Sequence, residues 1–112
     1  MQQRVVITGL GTVNPSGNNV NHFWENFKIG KNSIKNITLF DTSDFKVKIA
    51  GECNIDLSAH FNSKELNKLD RFSAFSIIAA DEAIKDANLL NNFNSEKVGV
   101  IIGSGIGGIK SL

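Results

Sequence analysis

Chemistry in this 112-residue chain is sought first in Gly103-x-Gly105-x-x-Gly108, a glycine spacing that matches the dinucleotide-binding pattern and follows an apolar run, Val98–Ile102. That pattern also needs a helix directly after it and an acid about twenty residues further on. The sequence stops at Leu112, before either could appear. An earlier Gly9-x-Gly11 has Asn14 in place of the third glycine, followed by Pro15, which breaks the strand-to-helix turn. Neither stretch ends in the Gly-Lys-Ser/Thr of a phosphate-binding loop. Ser104 stands directly between Gly103 and Gly105, so it does not reproduce the Gly-x-Ser-x-Gly of a nucleophile elbow. Cys53 has no adjacent histidine. His60 could be paired with it only if something oriented the ring, and the expected role of Cys53 is that of a small, half-buried apolar side chain. His22 and His60 are far apart and lack a second His or Cys at metal-ligand spacing. No catalytic group and no metal site is expected in these residues.

The elements that must position the glycine-rich stretch follow from periodicity. Arg4–Thr8 and Val98–Ile102 are short, β-branched runs, the composition of strands buried on both faces. Asn14-Pro15-Ser16-Gly17 is a turn cluster, after which Asn18 or Asn19 can cap a helix. Its apolar positions Val20, Phe23, Trp24 and Phe27 have helical spacing and are expected to pack in the core, and Gly30 stands at the C-terminal cap position. Residues 31–46 read as irregular, with a turn at Asp41-Thr42-Ser43-Asp44. Lys46–Ala50 alternates polar and apolar residues, as an edge strand does. Asn62 or Ser63 caps a short polar helix through Lys68, with Glu65 early, where the helix dipole favours an acid. Asp70 caps the strongest helix, which runs to about Ala87 and carries an Asp81–Lys85 pair. Ala79, Ala80, Ala83 and Ala87 keep that helix slim enough for close packing on another backbone, and Asn88 with Asn91-Asn92 ends it. The order predicts an α/β layer with a mostly parallel core sheet.

A formal charge of +1 gives no electrostatic reason to expect nucleic acid or an anionic membrane as partner. One cysteine cannot form an internal disulfide, which points to a reducing compartment. No signal peptide is visible and no apolar run reaches membrane-spanning length. Two apolar core strands make a poor sheet on their own. The chain is therefore expected to be a piece of a longer one and, when isolated, to aggregate or to lack fixed tertiary packing.

Six short motifs occur in one order: Arg4-Val5-Val6-Ile7-Thr8-Gly9-Leu10-Gly11, the Gly17-to-Trp24 spacing, Phe40-Asp41-Thr42-Ser43, Ala50-Gly51-Glu52, Leu69-Asp70-Arg71-Phe72, and Gly103-Ser104-Gly105-Ile106-Gly107-Gly108. Together they strongly resemble the N-terminal quarter of the β-ketoacyl-acyl-carrier-protein synthases of the thiolase-like family, closest to the synthase II type. Ser33-Ile34 departs from the family's glycine before isoleucine. The resemblance implies a partial thiolase-like fold, the N-terminal portion (residues 1–112) of one αβαβα half. It implies a cytoplasmic homodimer that joins an acyl thioester to malonyl-carrier protein in fatty-acid biosynthesis, with no cofactor. The family's cysteine nucleophile and two histidines would lie downstream of these residues, so the chain alone is expected to be inactive. Ile106 corresponds to the position that lines the acyl pocket near the dimer interface, and Lys64 and Lys68 to basic positions that dock the acidic carrier protein. Asn67 replaces a further base in that patch. Two other readings stay open: a stand-alone nucleotide-binding module using the Gly103–Gly108 loop, and a non-catalytic chain-length partner of the synthase family.

Overall fold

The computed structural model describes residues 2–91 and 93–109. Helix α1 spans Val20–Lys28, and Asn19 caps it by accepting a 2.8 Å bond from the His22 N–H. Gly30 follows in the left-handed region (φ +65°) and donates to the Phe27 carbonyl, the expected glycine cap. Segment 31–46 is not wholly irregular. Lys35–Asn36 forms strand β1, paired antiparallel with β2, Ile49–Ala50. The expected edge strand is thereby confined to its last two residues, and Ile37 adds one bond to the Lys48 carbonyl beyond the ladder. Between them lies the expected turn, where Asp41 accepts from both the amide and the hydroxyl of Ser43.

A 3-10 turn over Leu57–Ala59 leads to helix α2, Ser63–Leu66. Asn62 and Glu65 close a reciprocal capping box over it, with bonds of 3.0 and 2.8 Å. Helix α3, Arg71–Asp86, is the longest element. Asn88 ends it with a left-handed φ of +49°; Asn92 lies outside the described residues. Further 3-10 turns occupy Leu89–Asn91 and Ser95–Lys97.

The predicted parallel core sheet does not form. Among the described residues the one multi-residue sheet is the antiparallel β1–β2 pair, and neither Arg4–Thr8 nor Val98–Ile102 is a strand. Val5 is 92% exposed and Ile101 98%. A strand exists only where a neighbour accepts its backbone hydrogen bonds, and these two runs do not share a ladder. The core is correspondingly small: Ala74 (1% exposed) and Ile78 of α3 are its buried apolar side chains. The radius of gyration, 17.2 Å, exceeds the roughly 13 Å of a compact chain of this length. The aromatic face of α1 is not core either. Trp24 is 52% exposed and stacks on Phe27, ring centroids 5.8 Å apart, and among the described residues no helix or strand covers these two rings. The buried residue of α1 is instead Asn26, whose amide donates to the Ser16 carbonyl at 2.6 Å.

Candidate functional site

Helix α3 organises the site. Along one side its small residues receive the Gly9-Leu10-Gly11 backbone so closely that a Cβ at Gly9 would lie 2.2 Å from the Ala83 carbonyl oxygen. At Gly11 the corresponding distance to the Ala79 carbonyl is 1.8 Å. Glycine is required at both positions because backbone rests on backbone. The expected slim face is thus occupied. Two carboxylates beside it hold the segment in place. Glu82 accepts from the amides of Thr12 (3.0 Å) and Val20 (2.8 Å), tying the N-terminal segment and the first residue of α1 to α3. Asp86 accepts from the Leu10 amide at 3.0 Å. Acids four apart on a helix repel each other, so their occurrence beside an alanine stripe was the available sequence signal that both are engaged elsewhere.

At the other end of α3, Leu69-Asp70-Arg71-Phe72 forms a junction. The Arg71 guanidinium donates to the Cys53 carbonyl at 2.6 Å and lies 4.8 Å from the Phe75 ring centroid. Asp70 is the N-cap residue of α3, yet its side chain makes no capping bond. Its carboxylate instead lies against Gly108, where a Cβ would come within 2.2 Å of Oδ2. Gly107, at φ +86°, turns at the edge of the Phe72 ring. The glycine-rich loop is therefore seated at Gly107–Gly108, while Gly103 and Gly105 face open space. Ile106 is 79% exposed beside the seated end.

Lys64 and Lys68 are both exposed. The expected continuous helix through Lys68 stops at Leu66, because Lys68 and Leu69 both donate to the Glu65 carbonyl as the chain turns towards α3. Lys64 thus lies on the helix and Lys68 on the turn leaving it.

Three clefts adjoin this frame. The largest, about 660 Å³, lies between the α1 N-terminus and α3, and His60, Asp81, Glu82 and Asp86 are among its walls. Its four carboxylates are engaged: Asp81 pairs with Lys85, as expected, Asp56 accepts from the Ser58 amide and hydroxyl, and Glu82 and Asp86 hold backbone amides. Among the described residues no three His, Cys, Asp or Glu groups gather to hold a metal. Cys53 lines a different cleft, of about 470 Å³, with Glu52 and Arg71. Burial pushes its thiol pKa up, against a smaller opposing effect of the Arg71 charge, so the thiolate needed for nucleophilic attack is disfavoured. His60 and Cys53 are not brought together as a dyad, and His22 is exposed on α1. A third cleft, about 370 Å³, is bordered by Gly11–Val13, Phe72, Phe75 and Ile102–Ser104, and among the described residues no His, Lys, Asp or Glu lines it. As a phosphate cradle the loop is poorly built, since the carboxylate of Asp70 lies at Gly108, where a pyrophosphate would need amides and positive potential.

Residues 2–112 match the family model described as "Beta-ketoacyl synthase, N-terminal domain". This chain belongs to that family. It is 46% identical over 111 residues to a protein named 3-oxoacyl-[acyl-carrier-protein] synthase 2 from Staphylococcus aureus (strain N315), an alignment covering 97% of this chain and 27% of that protein. A protein of the same name from Synechocystis sp. (strain ATCC 27184 / PCC 6803 / Kazusa) is 42% identical over 113 residues, covering 99% of this chain and 27% of its own length. The chain therefore spans about a quarter of the length of these curated relatives. In the β-ketoacyl synthase frame, the motifs that carried the resemblance are the joints of the structure. Gly9 and Gly11 seat on α3, Glu52 receives Thr38 and Leu39, Arg71 holds Cys53, and Asp70 and Phe72 seat the glycine loop. Glu82 and Asp86, outside every one of those motifs, complete the frame. Among the described residues no helix is long and apolar enough to cross a membrane.

Proposed function

We propose that this chain is the N-terminal part of a β-ketoacyl-acyl-carrier-protein synthase of type II, one portion of a thiolase-like half in a cytoplasmic homodimer. The observation that carries this reading is the family match over residues 2–112, with the same synthase name on relatives 42–46% identical. The reaction is a decarboxylative Claisen condensation. An acyl group is held as a thioester on an enzyme cysteine. Malonyl-carrier protein loses carbon dioxide, and the carbanion equivalent attacks the acyl carbonyl, expelling the enzyme thiolate and lengthening the chain by two carbons. The nucleophile and the two histidines belong to parts of the synthase beyond these residues. This chain contributes scaffold, with Ile106 as the wall that limits acyl length and Lys64 and Lys68 as cations for the acidic carrier protein. Exposed lysines beside the junction suit that role, since charge complementarity acts mainly on association rate.

Radiolabelled malonyl-carrier protein tests the reading. The full-length synthase releases labelled carbon dioxide in the presence of an acyl primer, and the isolated 112 residues release none above a protein-free control. Exchanging Lys64 and Lys68 for Glu in the full-length enzyme slows turnover of carrier-bound malonate and leaves a small malonyl thioester nearly unaffected. Release by the isolated chain that Cys53→Ala abolishes would overturn the assignment of catalysis to residues outside it.

A further inference from the structure

The seat of the glycine loop is built from side chains that have other ordinary uses. An aspartate at a helix N-cap normally turns its carboxylate onto the N–H groups of the first turn. Asp70 stands at that position, before a 16-residue helix, with extended backbone (φ −67°, ψ 150°), and its carboxylate does not cap. It rests against Gly108, so closely that any side chain there would collide with it. Phe72, two residues further on, carries Gly107 on the edge of its ring, where a Cβ would meet Cζ at 3.6 Å. The junction itself is fixed from behind by Arg71 on the Cys53 carbonyl and by Glu65, whose carbonyl receives the amides of Lys68 and Leu69. Residues 103–106, by contrast, are exposed, and a Cβ at Gly103 or Gly105 would meet nothing within 4 Å. The close seating next to Ile106 is that of the residue pair that follows it, Gly107 and Gly108.

We infer that Asp70 is a positioning residue for the Gly103–Gly108 loop and thereby helps to determine how long an acyl chain Ile106 admits. The second half of this statement rests on the reading of Ile106 as the pocket wall. Gly108 is the complementary half of the contact, since it is the missing Cβ that admits the carboxylate. Removing the carboxylate frees the loop, and Ile106 can then retreat from a long acyl chain.

The test uses the full-length synthase with Asp70→Ser, which supplies a good helix cap and so preserves α3 while withdrawing the carboxylate from the loop. Amide hydrogen exchange over residues 103–109 is expected to accelerate. The long-to-short primer ratio of kcat/KM is expected to rise at least about twofold, the lower end for residues that couple sites, with kcat on the short primer little changed. Gly108→Ala, which forces the loop off its seat, produces the same change in the wild-type background and adds little once Asp70→Ser is present. Unchanged exchange and an unchanged ratio in Asp70→Ser overturn the inference. So does full additivity of the two substitutions, which would show that they act separately. Ile106→Ala serves as the control on the underlying reading. If it raises the ratio while Asp70→Ser does not, only the positioning role fails. If Ile106→Ala leaves the ratio unchanged, the pocket-wall reading fails and takes the specificity role of Asp70 with it.

Discussion

The two glycine-flanked apolar runs of this chain have nearly the same composition and different surroundings along their length. At its C-terminal end the first run passes into Gly9–Thr12, which is clamped to α3 by backbone contact and by Glu82 and Asp86. Before Gly9, and throughout Val98–Ile102, the described residues supply no comparable clamp, and Val5, Ile7, Val100 and Ile101 lie exposed. Regularity and burial here follow the partner rather than the hydrophobicity. A carboxylate brought by a neighbouring helix satisfies one or two amides and needs only its own rotamer to do so. A strand needs a second strand in register, supplying donors and acceptors along its whole length.

Forcing the clamped region apart should have the largest effect. Gly11→Val places a side chain where even a Cβ would lie 1.8 Å from the Ala79 carbonyl, so the segment must leave α3. A loss of about 3 kcal/mol is expected, the upper range for overpacking, read as loss of hydrogen-exchange protection at Leu10 and Thr12. Protection equal to the unsubstituted protein would show that the glycine contact does not hold the segment.

Glu82→Ala removes the acceptor of the Thr12 and Val20 amides without adding volume. About 2 kcal/mol is expected for stranding half-buried donors, which is roughly thirtyfold faster exchange at those amides. Amides of Phe93–Ile102 should not respond; a matching acceleration there would erase the distinction between clamped and unclamped regions.

Acid should sharpen the same contrast at Glu52. Hydrogen bonds from the Thr38 side chain, and from the Thr38 and Leu39 amides, hold its carboxyl below the ordinary glutamate value of 4.5. A pKa depressed on folding contributes stability above the unfolded value, and that stability is lost as pH falls through the folded one. The Thr38 and Leu39 amide resonances are expected to shift in a titration whose midpoint lies below 4.5, and Glu52→Gln should abolish the transition. A midpoint at or above 4.5 would mean that this clamp is not formed in solution.

The smallest effect is expected at the exposed run. Ile101→Thr should change the stability of the clamped region by no more than about 0.5 kcal/mol, the usual range for exposed sites. Light scattering of the isolated chain should fall, because an exposed apolar run is a template for self-association. A large destabilisation would show that Ile101 is packed in solution.

Much of the local frame was legible from residue types. A cap at Asn18 or Asn19 (the structure takes Asn19) and at Asn62 or Ser63 (it takes Asn62, with Glu65), the Gly30 terminus, the Asp41–Ser43 turn and the helix end at Asn88 all depend on contacts within a few residues, where side-chain chemistry and backbone preference act together. The alanines of α3 announced a close neighbour, and the order of six motifs identified the family. What tertiary structure alone decided was the identity of each partner. The β-branched apolar composition that suits a strand does not say whether another strand will lie beside it, so Arg4–Thr8 and Val98–Ile102 stand without a ladder. Helical spacing placed Phe23, Trp24 and Phe27 on one face but could not supply an element to cover Trp24 and Phe27, while Phe23 is half-buried. Asp70 was read as a cap from its position, and only the approach of Gly108, far along the chain, turned its carboxylate to another use. Local bonds are chosen by neighbours in sequence; burial and long-range acceptors depend on which distant segments arrive.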